Sequence, residues 1–175
     1  MKASETKVDK FLATTETTFA IPVYQRNYDW TLFECKQLLF DIIEVGQNEK
    51  INAHFIGSIV YVHDDVYTVS GLTELTIIDG QQRLTTITLI YIALYRLAKK
   101  LQNQVLVSRI HKMYLINEFA PESEKLKLKP TDNNKAALNF ILNSEDEEEF
   151  KGYSSSLSDL KYFNKSWKDP YKMLY

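Results

Sequence analysis

Cysteine is almost missing from this chain: among 175 residues it occurs once, at Cys35. An internal disulfide is therefore excluded, and a buried thiol in a reducing cytoplasm is the expectation. Proline and glycine are also scarce, at four and five residues, so each glycine carries more weight as a marker of a turn or a close approach. With three histidines and one cysteine, no zinc-ligand spacing arises. Long apolar runs are absent too. The most apolar segment, residues 84–95, is shorter than the roughly 20 residues of a membrane-spanning helix, and residues 1–7 lack the apolar core of a signal peptide. No membrane partner is expected. Charge of one sign is lacking as well: the formal net charge is −2 and the pI near 5.9, which gives no global pull toward polyanions and weighs against a stand-alone DNA binder.

What is present is apolar and aromatic. At 45% hydrophobic and 13% aromatic, the chain can bury a sizeable core as one domain or one domain with a helical annex. After a polar arm, residues 1–17, Phe19-Ala20-Ile21 reads as a strand. Pro22 then ends it at a sheet margin, and residues 24–28 leave as a loop. Thr31 and Glu34 form a capping box, and apolar residues at three- and four-residue intervals from Leu32 predict an amphipathic helix over 31–45. Residues 55–62 are apolar on both alternating faces, as in a central strand, with Gly57 marking a bulge or a close approach. His54 and the pair Asp64-Asp65 are expected to be structural or solvated rather than ligands. Residues 66–69 and 75–78 read as a hairpin. Residues 81–102 form a helix buried on most sides, a second helix covers about 105–116, and Lys125-Leu126-Lys127-Leu128-Lys129 alternates like a half-exposed strand. Thr131 or Asp132 caps a helix through Leu142. Residues 144–156 are expected to be an acidic linker, and 157–175, with exposed apolar residues at the end, are expected to begin a further helical region of a longer chain.

The chain is organised around Ile77-Ile78-Asp79-Gly80-Gln81-Gln82-Arg83-Leu84-Thr85-Thr86, where a β-type run stops at a glycine and a long helical pattern begins. A strand feeding a helix through such a corner leaves the first helical N–H groups free, and free donors at a helix start attract anions. Arg83 in the first turn opposes the helix dipole, which makes sense if an anion takes a forked guanidinium contact there. A ligand-free reading stands beside it, in which Asp79 caps the helix and pairs with Arg83. In the loop, Arg26 between Tyr24 and Tyr28, with the amide of Gln25, offers a cation and stacking faces suited to a nucleotide. Alternatively, the tyrosines fill the core and Arg26 is solvated.

Asp79-Gly80-Gln81-Gln82-Arg83-Leu84-Thr85-Thr86, preceded by Ile21-Pro22-Val23-Tyr24-Gln25-Arg26-Asn27-Tyr28-Asp29-Trp30 and by Phe55-Ile56-Gly57-Ser58-Ile59-Val60, resembles the N-terminal domain family of GmrSD-type, modification-dependent restriction endonucleases, tightly from Thr18 to Leu97. That resemblance implies an α+β or α/β fold like that of the ParB/sulfiredoxin superfamily, a small mixed sheet with flanking helices and a C-terminal helical annex. It divides the chain into an arm (1–17), a nucleotide-binding core (18–104), a helical and strand extension (105–143), the acidic linker and the start of a helical region.

By the same resemblance the domain binds and hydrolyses a nucleoside triphosphate with Mg²⁺ and so licenses an HNH-type nuclease, in cis or in trans, against DNA. Gln81, Gln82, Arg83 and Thr85 would hold phosphates, Gly80 would allow their approach, Gln25 and Arg26 would close the site, and Asp79 would orient the magnesium or a water. Asp79 and Arg83 would be the catalytic pair. The competing expectations are a non-catalytic DNA-recognition or regulatory module, and a domain that itself nicks DNA.

Overall fold

A computed structural model of the protein describes residues 3–51, 53–63, 73–121 and 124–143. The expected linker over 144–156, the helical start over 157–175 and the pair Asp64-Asp65 lie outside the described residues. The elements run α1 (Val8–Leu12), β1 (Thr17–Ala20), α2 (Leu32–Gln47), β2 (Val60–His63), β3 (Thr73–Asp79), α3 (Gln81–Lys100), α4 (Gln104–Ile110), a π-helical turn (His111–Leu115), β4 (Leu128–Lys129) and α5 (Asp132–Asn143). This is an α+β arrangement on one mixed sheet of order β2-β3-β1-β4.

The sheet is held by its two inner strands. β1 pairs in parallel with β3, Phe19 opposite Leu75, and with β4, Phe19 opposite Leu128. β2 pairs antiparallel with β3. The expected first arm of a hairpin over 66–69 falls outside the described residues, and the antiparallel partner of β3 is β2.

Residues 55–62 are not a central strand. Only Val60–His63 pair, at the sheet edge, and all are exposed. The physical reason is Gly57, whose φ of +100° takes the backbone out of the extended region before the pairing residues are reached.

α2 begins as its residues dictate, with the capping box of Thr31 and Glu34 formed. Cys35 and Leu38 are its buried residues, while Ile42 and Ile43 stay about 40% exposed, so the helix packs mainly by its first half. α3 is the structural axis. Leu84 and Ile87 join the sheet residues Phe19, Leu75 and Ile77 in one apolar cluster, and Leu89 and Ile92 join α4 and α5 residues in a second. One helix thus spans both cores, and its first turn is fixed by the packing behind it.

The predicted half-exposed strand over 125–129 is also corrected. Leu126, Lys127 and Leu128 are all buried, because Lys127 N–H donates to the Leu115 carbonyl while its own carbonyl accepts from Phe19 N–H, so the segment is covered on two sides. The Lys127 ammonium points inward and donates to the Met113 carbonyl. Burial pushes its pKa down to about 8. Among the described residues, no helix is long and apolar enough to cross a membrane.

Candidate functional site

β3 runs into α3 through Gly80, which sits at φ 91°, ψ 7°, in the left-handed region that glycine occupies without strain. A Cβ there would lie 3.0 Å from the Ser58 carbonyl oxygen and 3.1 Å from the Ile59 side chain, so the corner needs glycine for space as well as for conformation. No side chain caps α3. The alternative in which Asp79 caps the helix is therefore corrected: its carboxylate is mostly exposed, and the left-handed turn at Gly80 separates it from the helical N–H groups. The first bond of the helical ladder runs from Leu84 N–H to the Gly80 carbonyl, leaving the amides of Gln81, Gln82 and Arg83 ahead of it.

The side chains of that first turn diverge. Successive helical residues are turned by about 100°, so Gln81, Gln82 and Thr85 share one side and Arg83 falls on another. Gln82 uses its carboxamide like a strand of backbone: Oε1 accepts from Asp29 N–H at 3.0 Å, and Nε2 donates to the Asn27 carbonyl at 3.0 Å. Gln81 Nε2 donates to Gln25 Oε1 at 3.2 Å, and Gln25 Nε2 donates to the Ile78 carbonyl at 3.0 Å. The loop expected to close the site is therefore tied to the α3 corner at two places. Beside these amides lies a cleft of about 200 Å³, part of it open to solvent, lined by Arg26, Tyr28, Gln81, Gln82 and Thr85 and, from the other side, by Thr131 and Asn134.

Arg26 is the cation of this cleft. It pairs with Asp29 at 3.1 Å, but both side chains are about half exposed or more, and such a pair contributes little. Tyr28, a candidate stacking face, is instead buried: its hydroxyl bonds the Thr86 hydroxyl at 2.9 Å and the Cys35 thiol at 3.1 Å. Burial holds its pKa well above the usual phenol value, so it is a neutral structural strut. Tyr24, by contrast, is 71% exposed.

Arg83 faces the segment before β2. Nη1 donates to the Ile56 carbonyl at 3.3 Å, Nη2 to the Ser58 carbonyl at 2.9 Å, and Nη2 lies 3.6 Å from Asp79 Oδ2. The guanidinium rests against Gly57, where a Cβ would come within 1.6 Å of Nη1. The close approach expected at Gly57 is thus made by Arg83. The candidate residues form two groups: Gln25, Arg26, Gln81, Gln82 and Thr85 around the cleft, and Asp79, Gly80 and Arg83 beside the 56–58 segment.

His54 sits 3.5 Å from Asp41, which fits its structural reading. Among the described residues, no group of three or more His, Cys, Asp or Glu could cage a metal ion, and the Asp79 carboxylate is paired with Arg83. Thr131 and Asn134 were missed in the sequence; they lie more than a hundred residues from Asn27, whose side chain accepts from the Thr131 hydroxyl, and no local spacing points to them.

Searched against curated proteins, the chain finds no match. Its residues 8–174 match the family model described as the GmrSD restriction endonuclease, N-terminal domain, and with nearly the whole length covered and the glycine corner in place, the chain belongs to that family.

Proposed function

We propose that this domain is the nucleotide-sensing part of a DNA-targeting restriction endonuclease: a nucleoside triphosphate places its phosphates in the cleft at the start of α3, with Mg²⁺, and its slow hydrolysis licenses an HNH-type nuclease domain in the same longer protein or in a partner. The observation that carries the reading is the uncapped start of α3 opening beside a cleft that contains Arg26. Free amides and a guanidinium together favour a phosphate over a neutral ligand. Gln81 and Thr85 add neutral donors on the same side, and Gln82 holds the loop that carries Arg26.

Mg²⁺ is commonly held by one or two carboxylates together with the ligand's phosphates. The exposed Asp79 carboxylate is paired with Arg83 beside the 56–58 segment and does not line the cleft, so the phosphates themselves would hold the metal, which would supply charge neutralisation for phosphoryl transfer. Arg83 has five N–H donors, two of them committed to the Ile56 and Ser58 carbonyls. Its part is structural: it fixes Asp79 and the 56–58 segment behind the first turn of α3, while Arg26 is the cation that faces the phosphates.

Titration calorimetry of the chain with each ribonucleoside triphosphate and Mg²⁺ tests the reading. The expected result is saturable binding that Arg26→Ala weakens at least about tenfold while the melting temperature is retained, since exposed ion pairs contribute little to folding. A folded protein that binds none of the nucleotides removes the proposal.

A further inference from the structure

The cleft is too small for a whole nucleotide. Its enclosed room is only about 10 Å³, the rest of the space being open to solvent, against the roughly 300–1,000 Å³ of sites that enclose a ligand of that size. Phosphates held at its mouth leave the base outside, and the surface bordering the cleft decides where it rests. The loop that supplies Arg26 supplies a ring as well. Pro22 and Gln25 close a turn through Gln25 N–H to the Pro22 carbonyl at 3.0 Å, and the Gln25 side chain is anchored on the Ile78 carbonyl and on Gln81. The turn is therefore fixed to α3, yet Val23 and Tyr24 at its tip are 79% and 71% exposed.

Single exposed apolar residues are ordinary on protein surfaces, so exposure alone decides nothing. The combination does: a ring on a turn pinned through Gln25, two residues from the cleft's cation, beside a cleft too shallow to enclose a base. The geometry points to Tyr24 as the stacking platform for the base of the nucleotide whose phosphates occupy the cleft, an assignment that rests on reading that cleft as a nucleotide site. Phe55, at 81% exposure, is the natural control. Its segment is pinned by Arg83 on the other side of the first turn, away from Arg26, and it takes no part in holding the base.

The test compares ligands with and without a base. The chain of residues 1–175 is titrated, with Mg²⁺, against the ribonucleoside triphosphates and against inorganic tripolyphosphate, which carries the phosphates alone. At least one nucleotide is expected to bind about tenfold or more tightly than tripolyphosphate, the margin a base–aromatic stack supplies. Tyr24→Ala should erase that margin and leave tripolyphosphate affinity unchanged, Tyr24→Phe should keep it, and Phe55→Ala should not alter it. A margin that survives in Tyr24→Ala overturns the assignment while the cleft reading stands, as does a wild-type protein that binds tripolyphosphate as tightly as any nucleotide. Binding of neither overturns both. A Tyr24-dependent gain seen with a single-stranded oligonucleotide but with no free nucleotide also overturns it, in favour of a nucleic-acid surface.

Discussion

The two sides of the first turn of α3 hold their neighbours by opposite means. On one side Gln81 and Gln82 hold the 25–29 loop with neutral amides and leave a cleft. On the other, the Arg83 guanidinium fills the space against Gly57 and binds the two carbonyls that flank it. Amide bonds are weak individually and readily exchanged with water or a ligand, whereas a guanidinium lodged between backbone carbonyls makes stronger, charge-assisted bonds. The amide side is thus built to be opened and the arginine side to stay shut.

The largest expected effect breaks the closed side. Gly57→Ala places a Cβ 1.6 Å from Arg83 Nη1 at a residue with φ +100°, and should cost about 3 kcal/mol in urea unfolding. Repeating it in an Arg83→Ala background should lower the cost to about 1 kcal/mol, the backbone strain alone, and so measure the coupling directly. Equal costs in both backgrounds would mean that the guanidinium is elsewhere in solution. Gln82→Leu comes next. It leaves Asp29 N–H and the Asn27 carbonyl without their partner and should cost about 2 kcal/mol by the same measurement, with faster hydrogen exchange at Asp29. The smallest effect belongs to Arg26→Ala, whose exposed pair with Asp29 predicts a stability change under about 0.5 kcal/mol. A larger loss would place Arg26 with the structural residues and remove it from the open side.

Much of this frame is legible in the residues. The Thr31 and Glu34 box starts α2 where it should, and the abrupt change at Gly80 sets the start of α3, because local chemistry decides both. The divergence of Gln81 and Arg83 could also have been read from helical spacing, which sets them on different sides of the turn. What the residues hide is non-local. The extended pattern of 55–62 is overridden by Gly57, whose conformation serves a side chain on α3, and the alternation of 125–129 is overridden by the covering of Lys127 from both Leu115 and Phe19. Thr131 and Asn134 reach the cleft only because α5 folds back beside the 25–29 loop.

Lys127 carries a consequence for the solvent in which the domain is handled. The residue is 1% exposed, and its ammonium has a pKa near 8 in place of 10.5, so the native chain binds this proton less tightly than the unfolded chain does. Between those two values unfolding takes up a proton, and the linkage makes the native state more stable as the pH climbs. Denaturation midpoints measured from about pH 7.5 to about pH 10 should rise in the wild type and flatten in Lys127→Met. Mild alkali, which loosens many proteins, should tighten this one.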